Sequence, residues 1–374
     1  MPYRRPAWVE VDTSAIAHNV RTLRSVVPDS TRLLAVVKAD GYGHGAEAVA
    51  RAALGAGAEG LGVATIDEAL ELRTAGIRAP ILVLGEPPVD AAELVVGEGL
   101  AVAVTSREMA IALSRAATRA GGRGACHLKV DTGMNRIGVR AEDAGEFALW
   151  LKELPGLGID GLFTHFATAD VPGDWDFERQ LARFRHALDD VRTAGVRPGI
   201  VHAANSAATM LHPEAHFDMV RCGIAIYGLD ASPDLKDRLP LRPAMSVHAR
   251  ISFVKRIGLG DGVSYGLTWH ASGPTTIATL PIGYADGVPR VVSNTMEVLI
   301  GGRRCRQVGR ICMDQLMVEI PAGLEVHAGD EAVIVGTQGD QTIAMRELSA
   351  RAGTIDYESA CGFALRMERH PTSA

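Results

Sequence analysis

LLAVV at residues 33–37 is a short, continuous apolar run that reads as a strand buried on both faces. Seven runs of the same kind follow: GLGVA (60–64), PILVLG (80–85), LAVAV (100–104), CHLKV (126–130), DGLFTH (160–165), GIVHAA (199–204) and DMVRCGIA (218–225). Between most of them lie segments of helical period. In FERQLARFRHALDDVRTAG, Phe177, Leu181, Phe184, Leu188 and Val191 recur at spacings of four and three, which puts them on one face of a helix. Apolar strands alternating with amphipathic helices make a parallel sheet covered by helices. Eight such units in roughly 230 residues match a closed (β/α)8 barrel of the TIM type. A doubly wound open sheet remains the alternative, because periodicity does not reveal closure.

Beyond about residue 240 the pattern changes. SVHARISFVK alternates, TTIATLPIG and EAVIVG are short β-like runs, and EVLIGGRRCRQVG reads as a hairpin turning at Gly301 and Gly302. MRELSARAG is an isolated helical segment in otherwise strand-like sequence. The expected organisation is therefore an α/β chain with a barrel over residues 1–240 and a mostly β domain over 241–374. A length of 374 residues suits two domains.

Composition narrows the function. Lys and Arg total 38 against 44 Asp and Glu, a formal net charge of −6, so the basic field that nucleic acid or an anionic membrane requires is missing. The five cysteines include no C-x-x-C pair, which fits reduced thiols rather than a disulfide framework or a metal site. The opening MPYRRPAWVEVD has no apolar core of a signal peptide, and no run approaches a membrane span, so a cytoplasmic protein is expected.

Lysine is scarce, and one of the few, Lys38, stands directly after LLAVV at the C-terminal end of the first strand. Active sites of (β/α)8 enzymes are built at those strand ends. Partial desolvation there lowers a lysine from its usual pKa of ~10.4, which suits Schiff-base chemistry. In ADGYGHG (39–45), three glycines in five residues let backbone approach a ligand and hold Tyr42 and His44 on a tight loop. Arg136 follows strand five, His165 ends strand six, Asn205 and Ser206 end strand seven, and Arg221 lies in strand eight ahead of Cys222, Gly223 and Ile224. Taken singly, Ser206 could be a helix N-cap, His165 a satisfied core histidine and Arg221 a salt-bridge partner. Together they form one rim in which a Schiff-base lysine faces a phosphate cradle, a pairing that suggests pyridoxal 5′-phosphate.

AVVKADGYGHG resembles the cofactor-attachment motif of the alanine racemase family. The similarity continues in the family's order through VDTGMNRIG, FTHFATAD, AANSAA, VRCGIAIYG, VSYG, IGYADG, GRICMDQ and TIDYE. The looser match is FALRMERH near the end, which lacks the family's usual proline. The resemblance implies pyridoxal phosphate on Lys38, alanine as substrate, a role either in D-alanine supply for peptidoglycan precursors or in D-alanine breakdown, and a head-to-tail homodimer with shared active sites. Lys38 and Tyr265, the latter from the partner's β domain, would be two acid/base residues on opposite faces of the substrate Cα. A tyrosine normally titrates near ~10, so its phenolate needs cationic support, in the family through His165 linked to Arg221. Arg221 would face the pyridine nitrogen, and an always-charged guanidinium there leaves that nitrogen unprotonated. Arg136 would bond the ring hydroxyl and the substrate carboxylate, with the Met313 backbone as the other carboxylate contact. Tyr42, Ser206, Gly223, Ile224 and Tyr357 would hold the phosphate, with His165 and Asn205 also bordering the cofactor. In several relatives the lysine matching Lys129 is carbamylated.

Three other functions share part of this pattern: a broader amino-acid racemase, a decarboxylase of the same barrel class, and a non-catalytic pyridoxal-phosphate carrier. Decarboxylases of the class place an acidic residue at the pyridine nitrogen, so Arg221 opposes that reading. The carrier lacks a β domain, so Tyr265 opposes the other.

Overall fold

The structure is a computed structural model that describes residues 6–171, 173–363 and 365–373. The first five residues of the expected barrel domain and Ala364 of the tail lie outside it. The chain divides into two compact units.

In the first unit, eight parallel strands run Arg32–Val36, Gly60–Val63, Ile81–Val83, Ala101–Val104, Gly124–Asp131, Leu157–Phe163, Ile200–His202 and Met219–Cys222. Each of the eight apolar runs is one of them. Strand eight pairs with strand one, Met219 opposite Arg32 and Cys222 opposite Ala35, and strands four and five pair as well. The sheet therefore closes on itself, and the open-sheet alternative falls. Helices follow the strands, the longest being Trp175–Thr193. Its buried residues include Phe177, Leu181, Phe184, Leu188 and Val191, the stripe seen in the sequence. Each such burial contributes about 1.5–3 kcal/mol. Asp174 caps this helix by accepting the Asp176 N–H at 2.6 Å.

Inside the barrel, Leu34, Leu82 and Met219 pack with Leu84, Ala101 and Ile200 as an apolar plug. Residues two apart on a strand share a face. Arg221 and His202 therefore lie one pleat further toward the C-terminal rim than Met219 and Ile200. His127 pairs in register with Ala103 on one side and Gly161 on the other. A Cβ at Gly161 would lie 2.3 Å from His127 Nδ1, so the missing side chain is the space the imidazole fills.

The second unit is a ten-stranded sheet of mostly antiparallel pairs. Glu297–Ile300 and Arg303–Val308 form the expected hairpin, with Gly301 at φ 55° and Gly302 at φ 73°. Those two left-handed residues make a turn that matches the twist of the strands. One boundary differs from expectation. Ala7–Asp12 belongs to this sheet rather than to the barrel, lying between Met245–Arg250 and Glu368–Thr372. The reason is its period-two pattern, with Ala7, Val9 and Val11 buried and Trp8, Glu10 and Asp12 only half-buried. No described helix is long and apolar enough to cross a membrane.

Gly161→Ala is expected to lower the unfolding free energy by about 1–3 kcal/mol, the usual cost of overpacking a filled interior. Urea denaturation monitored by circular dichroism measures it, and an unchanged midpoint would contradict the fit of His127 against this glycine.

Candidate active site

Lys38 begins a turn that is left-handed throughout. Ala39, Asp40 and Gly41 have φ of 52°, 51° and 60°, and Tyr42 follows at 51°. For residues other than glycine this region costs about 1–2 kcal/mol each, so the turn needs outside support. Asp40 Oδ1 accepts the Ala46 N–H at 2.9 Å, and the Val37 carbonyl accepts the Gly41 N–H at 2.9 Å. The Ala39 N–H goes to Glu68 Oε1 at 2.7 Å.

Arg221 is buried in the barrel without a carboxylate partner among the described residues. Its Nη2 donates to the Thr164 carbonyl at 2.9 Å and to the Ala203 carbonyl at 3.0 Å. Its other contacts are Nη1 with His202 Nδ1 at 3.1 Å and Nη2 with His165 Nδ1 at 3.2 Å. A guanidinium can only donate, so both ring nitrogens face it as bare acceptors, with the two Nη2 hydrogens shared among Thr164, Ala203 and His165. His202 then carries its proton on Nε2 and donates it to His127 Nδ1, 2.8 Å away. His165 likewise keeps its proton on Nε2. One donor-only group thus sets the tautomers of three histidines. The rings stay neutral: burial and the Arg221 charge hold His165 and His202 well below the usual imidazole range and push His127 down to about 4. Burial also pulls Arg221 down to about 10, which leaves it charged near neutral pH. The Arg221 Nε–H has no acceptor among the described residues.

Lys129 is buried with its Nζ 4.3 Å from the centre of the Phe163 ring. Burial, Arg221 and Arg136 push its pKa down to about 7. Arg136 itself is exposed and makes no hydrogen bond or ion pair with a described residue. With Lys129, Asp131, Met134, Thr164 and His165 it lines a crevice too tight to admit a water molecule. On the loops after strands seven and eight, Ser206 Oγ accepts the Gly223 N–H at 2.9 Å and the Ala225 N–H at 3.4 Å. Asn205, not Ser206, caps the helix Ser206–Leu211, with its side chain accepting the Ala208 N–H at 3.0 Å. The mundane roles for Ser206 and Arg221 therefore do not apply.

The remaining expected residues belong to the second unit. The Tyr42 and Tyr357 rings lie 6.0 Å apart, and burial beside Tyr357 and Cys361 raises the Tyr42 phenol above its ordinary value. Tyr265 opens a 3-10 turn, 70% exposed, after Ser264, whose hydroxyl donates to the Arg310 carbonyl at 2.6 Å. Met313 lies on a loop zipped to its neighbour by Tyr284 N–H to Cys312 O and Ala285 N–H to Met313 O, both 3.0 Å. Gly283 permits that approach, since a Cβ there would meet Cys312 O at 2.3 Å. The buried Asp286 accepts the Gly283 N–H at 2.8 Å and Arg366 Nε at 2.7 Å, and Arg366 reaches Asp314 at 2.8 Å. The loosely matching tail thus contributes a clamp. The Met313 N–H has no acceptor among the described residues.

Sequence reasoning missed His127, His202 and Glu68. The first two carried a signal, a polar residue inside an otherwise apolar barrel strand. Glu68 carried only that of a capping box with Thr65.

A donor-only guanidinium with an unused N–H, a lysine at a strand end, and a hydroxyl beside backbone N–H groups together suit an anionic ligand that also carries a carbonyl and an acceptor nitrogen. Pyridoxal phosphate has that donor demand. Comparison with known proteins places the chain in a family. Residues 11–231 match the family model described as alanine racemase, N-terminal domain, and residues 244–371 match alanine racemase, C-terminal domain. The chain is 49% identical to an alanine racemase of Symbiobacterium thermophilum over 98% of this chain and 97% of that one. It superposes on the alanine racemase of Streptomyces coelicolor with a TM-score of 0.94 at 39% identity, covering 99% of this chain and 98% of that one. A crystal structure of alanine racemase from Bacillus anthracis with bound L-Ala-P gives 0.93 at 39% identity, covering 100% and 96%. With both domain models matched in order and relatives similar over nearly their whole length, this chain belongs to the alanine racemase family.

Proposed function

We propose that the protein interconverts L-alanine and D-alanine using pyridoxal phosphate, with Lys38 and Tyr265 as its two acid/base residues. The observation that carries this reading is the pairing of a lysine on a braced turn at a barrel strand end with a buried arginine that has a donor to spare. When bound, the cofactor supplies a carbonyl that condenses with amines and a conjugated ring that withdraws electrons from the substrate Cα.

Lys38 would hold the cofactor and would take or give the α-proton on one face. Tyr265, from the second domain of a partner subunit, serves the opposite face, because inverting a stereocentre needs removal on one side and delivery on the other. Arg221, whose Nε–H is unused, would meet the cofactor's ring nitrogen as a donor, and a donor there would moderate electron withdrawal and favour proton exchange over transamination. An acidic residue there would do the reverse, so Arg221 also speaks against a decarboxylase. Arg136 and the Met313 N–H are the groups available for the substrate carboxylate. Ser206, Gly223, Ile224, Tyr42 and Tyr357 would hold the phosphate, bordered by His165 and Asn205. Lys129, partly uncharged near neutral pH, is in the form that adds carbon dioxide with loss of a proton. The carbamate would place an anion beside Arg136 and Arg221.

A homodimer is supported by the exposed Tyr265, Leu267, Tyr284, Val291 and Met313 on loops of the second unit, apolar groups that a partner would cover. Five cysteines with no disulfide among them suit the reducing cytoplasm.

Purified protein with pyridoxal phosphate is expected to abolish the optical rotation of L-alanine and of D-alanine, and to act much less on L-serine and L-lysine. Equal rates on all three L-amino acids would favour a broad-specificity racemase instead.

Tyr265→Phe is expected to suppress solvent-deuterium exchange on one alanine enantiomer far more than on the other. Equal, near wild-type exchange on both would remove Tyr265 as an acid/base residue.

Inactive Lys38→Ala and Tyr265→Ala proteins, mixed under subunit-exchange conditions, should regain about a quarter of wild-type activity, since a twofold heterodimer contains one intact site. If tagged pull-down finds heterodimers and no activity returns, the shared site is wrong.

A further inference from the structure

We propose that Glu68 is the positioning residue of Lys38, spanning a helix cap and the left-handed turn with one carboxylate. The proposal rests on the reading of Lys38 as the cofactor lysine. Glu68 is the N3 residue of the helix Ile66–Thr74, in a capping box with Thr65. Its Oε2 accepts the Ala64 N–H at 2.6 Å and the Thr65 N–H at 3.2 Å, and Thr65 Oγ1 accepts the Glu68 N–H at 3.3 Å. The cap is complete with that one oxygen. Oε1 is left over, and it takes the Ala39 N–H at 2.7 Å.

That amide belongs to the peptide joining Lys38 to Ala39, so holding its N–H fixes the plane that sets ψ of Lys38. It also anchors the start of the left-handed turn, where Ala39 and Asp40 lack glycine's freedom. Because Oε2 is tied to the C-terminal end of strand two, the clamp references Lys38 to the neighbouring strand of the barrel. Lysine is a long side chain whose Nζ must serve two tasks at one place. A backbone peptide locked at its root narrows the positions that Nζ reaches.

Glu68→Gln is nearly isosteric but has one oxygen. It can complete the cap or accept from Ala39, while its amide group would face the N–H it does not serve. Glu68→Asp keeps the charge and is one methylene too short to span both. Thr65→Ala leaves the carboxylate and removes only the reciprocal cap bond. Amide hydrogen exchange by mass spectrometry on each purified holoprotein, over peptides covering 38–42 and 66–74, separates the two functions. The glutamine and aspartate variants should exchange faster over 38–42 than wild type, and Thr65→Ala only over 66–74. For alanine, kcat should fall about tenfold in both Glu68 variants with KM within about twofold, the signature of a misplaced reacting group.

If all variants loosen 66–74 alone, Glu68 is only a cap and the proposal is overturned. A loosened turn with unchanged kcat also overturns it, as does full activity in Glu68→Asp. Borohydride reduction followed by peptide mapping checks the underlying reading separately. Label on Lys38 keeps these outcomes as statements about Glu68. Label on another lysine overturns the cofactor reading and the proposal with it.

Discussion

A guanidinium that can only donate, buried among carbonyl oxygens and imidazole nitrogens that accept from it, is the constraint on which the barrel's interior chemistry depends. Arg221 has no carboxylate to neutralise it, so its charge is met by two backbone carbonyls and two imidazoles. A permanent charge in low dielectric polarises every group it touches. Burial makes protonation of His165, His202 and His127 costly, the Arg221 charge adds to that cost, and its donors settle where their single protons sit. The same charge depresses Lys129. Replacing Arg221 with lysine would keep the charge and lose the fork that reaches four acceptors at once.

The second theme is stored strain and its bracing. Both segments proposed to carry acid/base residues include non-glycine residues at positive φ, Ala39 and Asp40 after Lys38, Ser264 and Leu267 around Tyr265. Neither is left to itself: Glu68 and Asp40 tie down the first, and the Ser264 hydroxyl ties the second to Arg310. Backbone held in a sparsely populated region can present a side chain at an angle that relaxed turns do not reach. The cost is met by hydrogen bonds from residues that touch no substrate.

How much of this was legible in the sequence follows from the range of each signal. The eight barrel strands and the buried stripe of Trp175–Thr193 showed because burial writes itself into local periodicity. Lys38, Arg136, His165, Ser206 and Arg221 could be placed at strand ends once the strands were counted. Closure needed Met219 opposite Arg32, a pairing between distant residues that no local pattern encodes. His127 and His202 sat in plain view, yet only the register with Gly161 and the 2.8 Å contact between the rings turns them into a chain. Ala7–Asp12 had a clear alternating pattern, but its partners lie more than two hundred residues away.

That last strand has a consequence for synthesis. As the ribosome releases the chain, Ala7–Asp12 emerges before either neighbour, Met245–Arg250 or Glu368–Thr372, has been made. Domains generally fold as they are completed, so the barrel segment can close while the strand made before it waits. Its parallel partner, Glu368–Thr372, is made after the whole of the barrel and most of the second sheet. An apolar edge made of Val9 and Val11 is therefore exposed until those partners are made. The half-buried Glu10 and Asp12 that interrupt those valines give the nascent segment the charge that discourages pairing with another chain.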